Sequence, residues 1–167
     1  GGIGKSYGRS IDWADRPESR GYPFVIDQGN GAALPAHPEG ALPALAFSPD
    51  GERIATVSDR TEARLWRTSD GAPIGPPLLH RLGVHHVAFS PDGKWVVSAG
   101  YDRAIMLWDA GTGKRLDAFR GHLGPVEALA FCPDGRRFVS GSYDTTVLLW
   151  QPRLDETAAA KVWAGRV

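Results

Sequence analysis

Few residues in this 167-residue chain have the type and spacing to do chemistry. Gly4-Lys5-Ser6 matches the tail of a G-x-x-x-x-G-K-S loop, whose backbone N–H groups and lysine cradle phosphates. That cradle needs a strand before it and a helix after it. Here the leading glycine of the motif would fall before residue 1, and Tyr7-Gly8-Arg9 does not open a helix. A flexible terminus is expected, not a nucleotide site. Among the five histidines, His37 and the pair His85-His86 lie in different contexts, with no cysteine beside them. Adjacent residues on a strand face opposite ways, so this pair does not chelate one ion, and no metal site and no cofactor are expected. Cys132 is the one cysteine, which excludes an internal disulfide and leaves the redox compartment undecided. It stands where two related segments carry Ser48 and Ser90, so a small packed side chain is expected there rather than a reactive thiol.

The charge balance narrows the partners. Nineteen basic and nineteen acidic side chains cancel, so no global field selects nucleic acid or an anionic membrane surface. No apolar run is long enough to insert across a bilayer, and no basic-then-apolar leader opens the sequence. Twenty-one glycines and thirteen prolines suit short strands joined by tight turns.

The elements that must position any site repeat. Phe47-Ser48-Pro49-Asp50-Gly51 returns as Phe89-Ser90-Pro91-Asp92-Gly93 and as Phe131-Cys132-Pro133-Asp134-Gly135, each step being 42 residues. Leu65-Trp66, Leu107-Trp108 and Leu149-Trp150 keep the same interval. A period of this length marks stacked structural units. In the third copy, Val126–Phe131 alternates as a strand, Pro133-Asp134-Gly135 stops it, and Arg137–Ser142 and Val147–Trp150 follow as second and third strands. The second copy adds a fourth, Lys114–Phe119, after the turn at Gly111-Thr112-Gly113. Four antiparallel strands in 42 residues leave no room for helices. Strands this short cannot bury both faces alone, so each unit needs neighbours.

Phe24 lies 42 residues before Trp66, so Tyr22–Ile26 and Ala32–Leu34 read as the third and fourth strands of an earlier unit. The expected organisation is a peripheral arm at 1–21, a half unit at 22–36, and units at 37–78, 79–120 and 121–152. A tail at 153–167 reads either as a short helix, favoured by its alanines, or as a degenerate fourth strand carrying Val162 and Trp163.

These motifs resemble the WD40 repeat family. The third unit carries Gly121-His122, the Phe131–Gly135 turn, Ser140-Gly141-Ser142-Tyr143-Asp144 and Trp150; the second carries His80, Ser98-Ala99-Gly100-Tyr101-Asp102 and Trp108-Asp109. The resemblance implies an all-β fold of WD40-type β-propeller blades, each of four antiparallel strands. It also implies a buried hydrogen-bonded tetrad of His, Ser or Thr, Asp and Trp in each blade. Carried onto this chain, the structural tetrads are His80, Ser98, Asp102 and Trp108, and His122, Ser140, Asp144 and Trp150, with Ser142 the near alternative to Ser140. The first unit keeps only a partial tetrad, Thr56 and Trp66, because Arg60 replaces the Asp and Pro38 the His. No Ser-His-Asp set independent of these tetrads appears, and a catalytic site is not expected.

Closed propellers use four to eight blades, so three units and a half imply an incomplete ring within this chain. It is either a fragment or is completed by blades from the same or another chain. With catalysis set aside, function falls to surfaces. The expected partner-binding rim gathers Asp59, Arg60, Arg81, Tyr101, Leu123 and Tyr143, taking protein or peptide partners as a non-catalytic scaffold. Two alternatives stand beside it: a regulatory or sensory module of a larger enzyme, and a structural accessory subunit of a multiprotein assembly.

Overall fold

The computed structural model describes residues 43–58 and 60–152, together with two short strands at 24–25 and 34–35. Strands β1 (Phe24–Val25) and β2 (Leu34–Pro35) pair antiparallel. Blade I contains β3 (Ala44–Phe47), β4 (Arg53–Val57), β5 (Glu62–Arg67) and β6 (Leu78–Leu79), hydrogen-bonded in that order. Blade II contains β7 (Val84–Phe89), β8 (Trp95–Gly100), β9 (Ala104–Asp109) and β10 (Arg115–Arg120). Blade III contains β11 (Val126–Phe131), β12 (Phe138–Ser142) and β13 (Val147–Trp150). All three sheets are antiparallel meanders, the form expected of propeller blades; among the described residues they do not close a ring.

The turn between the first two strands explains why its sequence repeats. In blade I the Ser48 N–H donates to the Arg53 carbonyl and the Gly51 N–H to the Ser48 carbonyl, both at 2.9 Å. Asp50 Oδ1 accepts the Glu52 N–H at 2.9 Å, which ties the carboxylate into the turn. Gly51, Gly93 and Gly135 take φ of 72°, 70° and 65°, a left-handed conformation that glycine adopts without a Cβ penalty. Where the other copies have serine, Ser48 and Ser90 receive the N–H groups of Arg53 and Trp95 at 2.9 Å. Cys132 occupies the third place, half-buried and free.

Blades join through two apolar clusters. Ala55, Val57, Ala63 and Leu65 of blade I meet Val96, Met106 and Trp108 of blade II. Val97, Ala99, Ile105 and Leu107, from the other face of blade II, meet Leu129, Phe131, Phe138 and Trp150 of blade III. Phe119 of β10 reaches across this second junction to Phe138 (5.3 Å between centroids) and Trp150 (5.5 Å). Each such aromatic pair adds about 0.5–1.5 kcal/mol beyond burial. The innermost strands β3, β7 and β11 also touch in succession.

Period two and period 42 together decide which side chains are covered. Blade II buries Val97, Ala99, Ile105 and Leu107 completely, because blade III lies on them. The equivalent positions of blade III are Val139, Gly141, Val147 and Leu149, and here Val147 is 72% and Leu149 59% exposed. The residue types are nearly the same; the neighbour is what differs.

Local departures from the sequence expectations have physical reasons. β6 reaches Leu79, which pairs with Glu62, so blade I holds one residue that was assigned to the next unit. β10 is shifted one residue toward the C-terminus, from Lys114–Phe119 to Arg115–Arg120, because Asp109 N–H and the Lys114 carbonyl close the preceding turn. β7 does not alternate strictly, since its register shifts between Val84 and His86 and leaves His85 as the extra residue of a bulge. The arm at 1–21, the tail at 153–167, His37, Pro38 and Asp59 lie outside the described residues.

Candidate functional site

Each tetrad begins with the residue that carries the chain from one blade to the next. His80 follows β6; its backbone N–H donates to the Thr61 carbonyl of blade I at 2.7 Å, while its ring enters blade II. There Nδ1 lies 3.1 Å from Asp102 Oδ2 and Nε2 2.7 Å from Ser98 Oγ. Ser98 Oγ also accepts the Trp108 indole N–H at 2.7 Å. Blade III repeats the arrangement: His122 Nδ1 to Asp144 Oδ2 at 3.2 Å, His122 Nε2 to Ser140 Oγ at 2.7 Å, and Trp150 Nε1 to Ser140 Oγ at 2.7 Å. In blade I, Trp66 donates to Thr56 Oγ1 at 2.8 Å. Ser142 is not part of the network: its hydroxyl donates to the Gly124 carbonyl at 3.0 Å and accepts the Asp144 N–H at 3.2 Å.

The donors and acceptors order themselves. An ionised carboxylate only accepts, so Nδ1 of each histidine carries a proton. In the neutral ring Nε2 is then an acceptor, and the serine hydroxyl donates to it while receiving the tryptophan N–H. Burial pushes the Asp102 carboxyl up, but bonds from His80, the Arg81 N–H and the Ala104 N–H outweigh this and hold it below the usual carboxylate range. Asp144 is held far below that range, first by the Thr146 hydroxyl, then by the Leu123 and Thr146 N–H groups and His122. Thr146 is a fifth member in blade III, its Oγ1 lying 3.0 Å from His122 Nδ1. Ala104 holds that place in blade II, so only the spacing from Asp144 marks Thr146 in the sequence.

The connectivity Ser–His–Asp is that of a hydrolytic triad. Its nucleophile position is closed, however: Ser98 is fully buried and Ser140 is 1% exposed, and each oxygen is held by an indole N–H. Among the described residues no three His, Cys, Asp or Glu side chains converge as metal ligands would.

The same aspartates organise the rim above them. Asp102 Oδ2 receives the Arg81 N–H at 3.2 Å and Asp144 Oδ2 the Leu123 N–H at 2.6 Å, which pins the loops that enter blades II and III. The loops between second and third strands close against these: Tyr101 N–H donates to the Gly83 carbonyl at 2.9 Å and Tyr143 N–H to the Pro125 carbonyl at 3.0 Å. Gly100 is required at this crossing, since a Cβ there would lie 2.0 Å from the Gly83 carbonyl oxygen. Arg60 is exposed, and its carbonyl takes the Val84 N–H at 2.9 Å across the blade boundary. Held on this frame, Tyr101 is 45%, Leu123 81% and Tyr143 71% exposed, and Arg81 is exposed beside them. Sequence reasoning missed Leu82, 52% exposed in the same loop as Arg81, whose only signal was its neighbour. It also missed His85 and Glu127, the bulge residues of β7 and β11.

The family described as WD domain, G-beta repeat matches at residues 31–67, 78–109 and 113–151. Among solved structures, that of U3-55K superposes with a TM-score of 0.65 at 27% identity, over 71% of this chain and 38% of that one. The crystal structure of RRP9 WD40 repeats gives 0.66 at 27% identity, over 71% and 37%. The matched part of the chain thus covers well under half the length of either. No curated protein matches it.

Proposed function

Because the chain belongs to the WD40 repeat family, we propose that it is a non-catalytic scaffold that binds protein or peptide partners through the rim carrying Arg60, Arg81, Tyr101, Leu123 and Tyr143. The observation that carries this reading is the exposure of Leu82, Tyr101, Leu123 and Tyr143 on loops whose backbone is locked from beneath by the tetrads. Tyrosine offers apolar area with a polar tip at small entropic cost, and a preorganised loop loses little freedom on binding. The tetrads act as the frame of that surface: their serines are sealed and their carboxylates engaged. Asp59, assigned to the same rim, lies outside the described residues.

The test uses peptides selected from a display library on the immobilised full chain. Leu123→Ala and Tyr143→Ala are expected to weaken them about tenfold or more, as interface anchors do. Lys94→Ala and Arg136→Ala, in turns at the opposite end of the strands, are expected to leave affinity unchanged. The reverse pattern overturns the reading.

A second reading, a structural accessory subunit completed by further blades, draws on the exposed Val147 and Leu149 face of blade III. Native mass measurement of the intact particle tests it: a monomer that does not bind further blades overturns it.

A further inference from the structure

Resting on the reading of the rim as a partner surface, we propose that its sector between blades II and III takes a cationic side chain, a guanidinium by preference, at the Glu127 carboxylate. Three observations converge there. First, β7 and β11 each shift register at their rim end, between Val84 and His86 and between Val126 and Ala128. The extra residues, His85 and Glu127, occupy the same place in the repeat, and bulges re-aim side chains out of strand alternation. They approach across the blade boundary, with His85 Nδ1 3.9 Å from Glu127 Oε2, which is too long for a hydrogen bond.

Second, the His85 ring is held edge-on against Tyr101, centroids 4.2 Å apart and planes at 74°. The imidazole is therefore fixed beside the carboxylate without satisfying it. Third, Glu127 Oε1 is buried and has no hydrogen-bond partner, alone in this among the described residues. The side chain as a whole keeps 34% of its surface open, so a ligand can approach it from solvent. A shielded oxygen without a donor is costly, and a ligand that supplies one recovers that cost.

The chemistry of the acceptor selects the ligand. A carboxylate only accepts, and a cationic N–H is its strongest partner. A guanidinium can bond both oxygens while its plane lies over a tyrosine ring, and Tyr101 borders the site. The loops of blade III on this side, 121–125 and 143–146, contain no lysine or arginine. Arg60 and Arg81 stand at the junction of blades I and II, and the exposed Arg103 and Arg120 belong to blade II.

The experiment titrates the full chain with Nα-acetyl-arginine methylamide and with its neutral isostere Nα-acetyl-citrulline methylamide, following the His85 and Tyr101 ring signals by NMR. The arginine compound is expected to shift both rings saturably and to bind about tenfold tighter than the citrulline one. Glu127→Gln is expected to remove that preference, and Tyr101→Phe, which keeps the ring, to retain it. Equal binding of the two compounds, or an arginine preference that survives Glu127→Gln, overturns the proposal; so does a native chain that answers neither, as it would if a trapped water alone satisfied Oε1. Library-selected peptides separate this from the platform itself. Peptides that tolerate Glu127→Gln but fail with Leu123→Ala and Tyr143→Ala overturn only the cation site. Peptides insensitive to all three overturn the platform.

Discussion

Replacing Ser98 by alanine removes one oxygen and strands two partners. Ser98 Oγ is fully buried and is the acceptor of the Trp108 indole N–H and the partner of His80 Nε2, both at 2.7 Å. The space left is too small to repay the loss with water, and each buried polar group deprived of its partner costs about 1–3 kcal/mol. Two such groups give a destabilisation of about 2–5 kcal/mol, which for a chain of this size is a fall in Tm of roughly 5–15 °C. Ser98→Thr is the informative control: it keeps the oxygen, and Thr56 already fills the equivalent place beneath Trp66 in blade I. Urea unfolding followed by tryptophan fluorescence measures both variants. A Ser98→Ala change below about 0.5 kcal/mol, or a Thr variant as damaged as the alanine one, would refute the proposed chain of bonds.

Four further outcomes are expected. Asp144→Ala lowers Tm clearly more than Arg60→Ala in a thermal melt, because it removes the acceptor shared by the Leu123 N–H, the Thr146 N–H and His122. Leu107→Ala, at a fully buried position, costs about 2–5 kcal/mol in urea unfolding, whereas Leu149→Ala, at its 59% exposed counterpart, costs about 1 kcal/mol or less. In acid, the aspartates with depressed carboxyls lose their contribution. Asp50 is lowered to about 2, first by the Ser48 hydroxyl and then by the Glu52 N–H, and Asp102 is lowered as well. A folded carboxyl below its unfolded value stabilises above the unfolded pKa, so this contribution is lost, and Tm falls, as pH drops from the ordinary carboxylate range toward 2. Gly100→Ala destabilises strongly in the same melt, since the new Cβ has no room against the Gly83 carbonyl.

The strands, their turns and the tetrads were legible because each depends on residues close in the repeat. A Pro-Asp-Gly turn and a buried Trp-to-Ser bond can be read from 42-residue spacing, since one unit contains both partners. That an open stack leaves apolar blade faces bare followed from the repeat count, but which residues are covered was not legible from residue type. Ile105 and Val147, or Leu107 and Leu149, are closely similar residue types at the same positions, and only the neighbouring blade makes one buried and the other open. The bulges were hidden for a related reason: His85 and Glu127 are extra residues in both blades, so the period survives and nothing in the spacing betrays them. Arg103 and Thr145, with φ of 62° and 67°, likewise carry no glycine or asparagine to flag a left-handed turn. Thr146 carries no repeat signal, because its blade II counterpart is Ala104.

Amide hydrogen exchange of the full chain, with and without a library-selected peptide, tests the platform most directly. Slowed exchange at Arg81–Gly83, Tyr101–Arg103, Leu123–Gly124 and Tyr143–Thr146, with none at the 49–52, 91–94 and 133–136 turns, is the expected footprint. Protection confined to those opposite turns would contradict it.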